Sequence, residues 1–324
     1  MTIPDELIAR TVFSCQDARS VGVTTRQLQT ALRAGALHQV RRGWCSATKP
    51  EWSVTAHRQR LQVALAEPPA LMASHHSAAI LHGLPIHRPP LRQVHLQRLG
   101  PGLSSYRDCV VIHQARESVR PHPQLRAVDL AAAVVQTALL DPLSGLMSAD
   151  RLLATDPGAQ DRIEAVLHAY RSARGIVLAR AALALADPRH ESPGESHTVY
   201  VLHGLGWEIE PQFEVRCGSK VFRLDGRLIV PGRPDAKIAV EHDGRDKYAQ
   251  IDGRGQTKAD VAALLAEKGR EDDLRSLGWQ FIRVTRERLQ VPSNLMVVVD
   301  RAVLADARRL RQDRQDGVLV GSVW

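Results

Sequence analysis

The 324-residue sequence contains no apolar run long enough for a membrane-spanning helix, and its N-terminus has no apolar core of the kind that directs secretion. A cytoplasmic protein with no membrane partner is the expectation. Cysteine is scarce and scattered: Cys15, Cys45, Cys109 and Cys217 stand far apart, without the paired spacing of a zinc site. They read as reduced thiols. An acidic excess is also missing. The net charge is +8 and the pI is near 9.7, a balance that suits a polyanionic partner. Residues 1–60 hold nine Lys/Arg against four Asp/Glu, so five of the eight net positive charges lie there. The remaining composition, 44% apolar, is that of an ordinary globular protein, and the length leads us to expect two or three domains.

The stretch from Val221 to Thr285 carries the most chemistry. Val221 to Val230 reads as a strand, Pro231-Gly232-Arg233-Pro234-Asp235 as a turn, and Lys237 to Glu241 as a second strand. With the turn centred on Arg233, Asp225 and Glu241 lie eight residues to either side and face each other. Directly opposed carboxylates, with Cβ atoms about 5 Å apart, repel and weaken a sheet. A divalent cation between them relieves the repulsion, and Mg²⁺ is held through one or two carboxylates. The other reading is an exposed hairpin face balanced by Arg223, Arg227 and Arg245. Asp235 imitates the first acid of a nuclease motif. At strand rise it is roughly 20 Å from Glu241, too far to share an ion, so it reads as a turn residue. Upstream, Glu195, Val199 and Leu202 recur on one helical face. Downstream, Thr257 to Leu277 reads as a helix stopped by Gly278, with Lys268 on the same side as Val261, Leu264 and Leu265. Trp279 to Thr285 reads as a strand.

These residues resemble, in order, the family related to very-short-patch-repair endonucleases, within the PD-(D/E)XK nuclease superfamily. The match runs through Glu195-Ser196, Arg223-Leu224-Asp225, Val240-Glu241-His242-Asp243-Gly244, Lys247-Tyr248 and Glu267 to Leu274. It closes on Leu277-Gly278-Trp279 and Arg283-Val284-Thr285. The resemblance covers about a third of the chain. It implies a restriction-endonuclease-like α/β sheet with Mg²⁺ or Mn²⁺ held by Asp225, Glu241 and the carbonyl of His242. Glu195, Asp225, Glu241 and a lysine would then be catalytic. The superfamily places that lysine two residues after the second acid, where this sequence has Asp243. Lys268 and Lys247 are the substitutes, with Lys268 preferred. Glu267 and Glu271 read as a solvated, salt-bridged face; Arg270 and Asp273 match the family signature, with a structural role open for both.

Toward the N-terminus, Pro4 to Phe13 reads as a first helix. Ser14 caps a second that ends at Gly22, and Thr24-Thr25 starts a third that runs through Ala34. Leu37 to Trp44 reads as a strand with Arg41-Arg42-Gly43 at its tip. In winged helix-turn-helix logic Thr24, Thr25, Arg26 and Gln29 meet base edges, while Arg33, Arg41 and Arg42 contact phosphates. The segments Gly22-Val23-Thr24, Leu32 to Gly35 and Val40 to Trp44 resemble the N-terminal domain of AbiEi-type antitoxins. That family consists of winged-helix repressors in a phage-defence toxin–antitoxin system. The alternative is a small helical domain with a solvated basic loop.

Between these ends lies a mixed, mainly helical connector. Strands are expected at Val94 to Leu96 and Val110 to His113, and helices at 54–65, 130–140, 158–172 and 175–186. His75, His76 and His82 read as packing and capping residues, since no carboxylate or cysteine is close in sequence. The expected fold is multidomain α+β and α/β. The domains are 1–53 (winged helix-turn-helix), 54–187 (connector), 191–292 (endonuclease-like) and 293–324 (helix and tail). The expected function is a metal-dependent DNA endonuclease acting on double-stranded DNA. The alternative is a repressor or antitoxin with an inactive nuclease fold and a toxin or defence-system partner.

Overall fold

The computed structural model describes residues 3–49, 53–66, 70–116, 119–243 and 268–315. The chain is a mixed α/β protein in two compact units, Met1–Ala184 and Leu185–Trp324. Among the described residues no helix is long and apolar enough to cross a membrane.

The first unit begins with helices Asp5–Ile8, Cys15–Ser20 and Thr25–Arg33 and with strands β1 (Phe13–Ser14), β2 (His38–Arg41) and β3 (Trp44–Ser46). The strands form an antiparallel sheet in the order β1-β3-β2. Two reciprocal caps start the second and third helices. Ser14 and Asp17 exchange backbone and side-chain bonds, and so do Thr24 and Gln27. Leu7, Phe13, Ala18, Val23, Leu28 and Leu37 close a small core beneath them. The first helix is shorter than the sequence suggests, because Phe13 leaves it to pair with Cys45 across β1 and β3.

The same unit continues with a second sheet: β4 (Leu71–Ala73), β5 (Val94–Arg98), β6 (Ser105–Arg107) and β7 (Val110–His113), in the order β4-β5-β7-β6 with β5 and β7 parallel. Helices Val54–Ala66, His75–Leu81, Leu130–Leu140, Pro142–Thr155, Ala159–Ala169 and Ile176–Leu183 accompany it. Leu130–Leu140 is buried along most of its length, as a helix apolar on all sides must be. Gly145 lets Pro142–Thr155 cross close to it: a Cβ there would lie 2.2 Å from Ala138 Cβ.

The second unit opens with helix Pro193–Gly204. Strands β8 (Glu208–Cys217), β9 (Lys220–Ile229) and β10 (Ile238–Asp243) follow as an antiparallel meander. Residues 268–276 are helical, and β11 (Gln280–Thr285) then pairs parallel to β10, giving the order β11-β10-β9-β8. Helices Arg286–Gln290 and Pro292–Gln315 complete the unit. Alternation sends Ile238, Val240, Ile282 and Val284 into one core with Leu202, Leu295 and Val299. It sends Ala239 and Phe281 into another with Leu274 and Trp279. Strand β8 adds to the strands read from the sequence.

One feature of the first unit titrates. His57, His75, His76, His95 and His113 pack ring against ring, the first four of them buried. Burial pushes the imidazoles down: His76 and His113 to about 4, His95 to about 2, His57 below its ordinary value and His75 well below it. The folded state therefore binds fewer protons than the unfolded chain, whose histidines titrate near 6.5. Stability is full above that value and is lost as pH falls from it toward 4. Each buried histidine removes up to about 1.4 kcal/mol per pH unit in that window. Urea titrations in EDTA buffer from pH 7.5 to 4.5 should show this decline, and a flat profile would contradict a neutral buried cluster.

Candidate functional site

The β9–β10 register sets the geometry of the second unit. Ala239 pairs with Arg227 and Val240 with Gly226, so the next pair in this register is Glu241 opposite Asp225. The turn between them is held from outside the sheet. Arg233 pairs with the fully buried Asp306 of helix Pro292–Gln315, and the Lys237 N–H donates to Asp306 Oδ1 at 3.2 Å. Arg309 reaches the same oxygen at 3.0 Å. Asp235 sits in the turn, as expected.

Asp225 accepts the His242 N–H at 2.9 Å through Oδ2. Glu241, with 13% of its side chain exposed, binds Arg270 at 2.8 Å. Burial holds its carboxyl above the usual range; Arg270 opposes the shift and the charge of Asp225 adds to it. Glu195 stands in the first turn of Pro193–Gly204, where Ser192 accepts the Glu195 N–H and donates to Oε1 at 2.8 Å. Its Oε2 accepts from the Glu191 N–H and from Gln212 Nε2, both at 3.0 Å. Burial raises this carboxyl as well, and Asp225 again contributes. Glu195, Asp225 and His242 line a cleft of about 10 Å³ with Thr198, Gly226 and Val240. That volume holds about one water-sized species. Gly194 lets the His242 ring approach: a Cβ there would lie 2.1 Å from it.

The three acids are electrostatically coupled through Asp225, but their oxygens are not drawn together. Among the described residues, the group of three or more ligand atoms within 4.8 Å of one another is His75, His95 and His113. The expected inward lysine also differs. Lys268 is exposed, and the cation that reaches Glu241 is Arg270, whose other nitrogen donates to the Arg223 carbonyl at 3.2 Å. The helical period that predicts an inward Lys268 runs through Val261, Leu264 and Leu265. Those residues and Lys247 lie outside the described residues, as does Glu267. Sequence reasoning left Arg270 with an open role; the signal available was its position two residues beyond Lys268. Glu271 is salt-bridged as read, to Arg275 at 2.6 Å and to Arg283. Trp279 is a core residue.

In the first unit, Thr24 caps Thr25–Arg33, and Thr24, Thr25, Arg26, Gln29 and Arg33 are all exposed. Arg42 lies exposed in the turn between β2 and β3. Arg41 is half-buried and lines a cavity of about 230 Å³ with Arg60 and Arg92, so the two wing arginines are not equivalent.

No family model matches the chain. Two proteins of Mycobacterium tuberculosis, from strains CDC 1551 / Oshkosh and ATCC 25618 / H37Rv and each described as uncharacterized, are 29% identical to it over 168 residues. That is 49% of this chain and 56% of each relative, so the chain spans about half the length of the curated relatives it matches.

The Asp306 contact invites a direct measurement. Asp306→Ala leaves Arg233 and Arg309 without their shared carboxylate, a loss that costs about 3–5 kcal/mol when a buried ion pair is broken from one side. Urea unfolding of the variant should show it. A loss under about 1 kcal/mol would mean that the hairpin turn is held by other contacts.

Proposed function

We propose that the protein binds double-stranded DNA through its first fifty residues and carries a metal-dependent, endonuclease-type site in its second unit. The observation that supports the second part most is Asp225 opposite Glu241 on an antiparallel pair. The surrounding order supports it too: a helix bearing Glu195, three antiparallel strands, a helix, and a fourth strand parallel to the third. That order suits a restriction-endonuclease-like sheet. The donors fit a hard dication: carboxylate oxygens and a backbone carbonyl are the ligands of Mg²⁺ and Mn²⁺. Asp225 and Glu241, with the carbonyl of His242, would hold it. Such an ion lowers the pKa of a bound water and stabilises charge on phosphate oxygens. Glu195, held by Ser192 and Gln212, orients polar groups at the cleft. Arg270 supplies the fixed positive charge that a phosphate in the transition state needs.

One observation favours a second reading, a repressor or antitoxin whose nuclease fold is inactive. Arg270 already neutralises Glu241, and no lysine stands at the motif position. Plasmid cleavage with Mg²⁺ or Mn²⁺ separates the two. Under the first reading Glu241→Gln and Asp225→Asn abolish nicking and Arg270→Ala lowers it at least about 100-fold, the scale of losing one transition-state donor. Lys268→Ala tests the lysine substitute: equal nicking by that variant assigns the charge to Arg270. If the wild type leaves plasmid, single-stranded and mismatched DNA uncut with either ion, the second reading stands.

For the first unit, the exposed face of Thr25–Arg33 and the β2–β3 turn support a winged helix-turn-helix. Arg42→Ala should weaken duplex binding on every sequence and flatten the salt dependence by about 0.9 in the log–log slope for one lost phosphate contact. Arg41→Ala should do less. Fluorescence anisotropy across a salt series measures both, and an unchanged slope for Arg42→Ala removes the wing from the interface.

A further inference from the structure

We propose that His75, His95 and His113 form a binding site for one Zn²⁺ ion in the first unit. His95 on β5 and His113 on β7 belong to a parallel pair in which His95 aligns with Val111 and Gln97 with His113. The two histidines therefore stand on the same sheet face as diagonal neighbours. His75 opens the helix that follows β4, and its ring stacks on His113 with centroids 3.8 Å apart. One nitrogen from each of the three lies within 4.8 Å of the others.

The distances fit an ion. His95 Nδ1 and His113 Nε2 are 3.0 Å apart. Two nitrogens on a tetrahedral Zn²⁺, each about 2.0–2.1 Å from it, stand about 3.3–3.4 Å apart, so the pair needs to widen by only a few tenths of an ångström. His95 is 5% exposed, so the pair stands out of water. His75 adds strain: it adopts φ +51° without being glycine, a conformation found where ligands are clamped. Its backbone N–H donates to Gln136 Oε1 at 3.0 Å, and its Nδ1 lies 3.1 Å from Ser74 Oγ. That contact occupies one ring nitrogen and leaves Nε2 for the ion, the outer-sphere pattern of metal-bound histidines.

The neighbouring imidazoles are engaged elsewhere. His57 uses both nitrogens, on the Leu91 carbonyl at 2.9 Å and Ser77 Oγ at 3.0 Å, and His76 Nε2 lies 3.1 Å from the Gln93 carbonyl. Three imidazoles without a carboxylate select a late first-row dication over Mg²⁺ or Ca²⁺. His113 is only half-buried, which leaves a side for entry and for a water as fourth ligand. The bound ion ties β5 and β7 to the helix His75–Leu81.

The test uses the full chain without a histidine tag, stripped with EDTA and dialysed. Co²⁺ is the spectroscopic probe and Zn²⁺ the competitor. We expect one equivalent of Co²⁺ to give the intense visible bands of a four- or five-coordinate site, which Zn²⁺ then bleaches. Zn²⁺ should raise the melting temperature of the wild type and not that of His113→Ala. His113→Ala and His95→Gln should each weaken Zn²⁺ more than the roughly 10–100-fold typical of outer-sphere changes, while Glu241→Gln keeps the bands. If His95→Gln does not fold, the half-buried His113→Ala and the wild-type titration decide. Absence of visible bands and of a melting shift in the wild type would overturn the site. So would bands that persist in His113→Ala or vanish in Glu241→Gln.

Discussion

The second unit depends on a single buried carboxylate. Asp306 is fully enclosed and accepts from Arg233, Arg309 and the Lys237 N–H. A carboxylate taken out of water is tolerated only with partners of this kind. Arg309 shares its helix, but Arg233 and Lys237 lie between β9 and β10, so the contact fixes where that turn closes. Shifting the pairing by one residue would send every side chain of β10 to the opposite face and break both cores at once. The placement of Asp225 opposite Glu241 is thus a consequence of an ion pair at the far end of the hairpin, with the hydrophobic cores as its guarantor.

The two carboxyl-bearing strands show how far sequence periodicity reaches. Residues equidistant from Arg233 do face each other in the ladder, where Ala239 pairs with Arg227 and Val240 with Gly226, although the turn itself closes off-centre with Val230 bridging Arg233. The caps at Ser14 and Thr24 were equally legible, since each has its partner three residues on. Other features were not. Strand β8 holds Pro211 and alternates charge with apolar side chains, and its pairing with β9 is what makes it a strand. Helix Pro142–Thr155 contains Gly145, a poor helix former, at a place where Ala138 leaves no room for a Cβ. Lys268 and Arg270 lie two residues apart on one helix, and only the placement of that helix against β9 and β10 chooses between them.

The histidines illustrate a different limit. His75 and His76 are conspicuous in sequence, yet their nearest ring partners, His113 and His95, come from strands 38 and 19 residues away. Local spacing identifies metal sites when the ligands share one helix or one loop. Here a parallel strand pair and the start of a helix bring them together, so sequence distance carries no information. Of His75, His76 and His82, the last is a capping and packing residue as read, with Nε2 2.8 Å from the Val128 carbonyl.

The position of Asp306 in the chain has a consequence for biosynthesis. Its contact with Arg233 spans 73 residues, and the helix that carries it follows every strand of the sheet. A ribosome adds about 5–20 residues per second, so the hairpin emerges several seconds before the residue that locks it. During that interval its turn arginine is solvated and its register is held by side-chain alternation alone. The hairpin turn is therefore locked only once helix Pro292–Gln315 has been made.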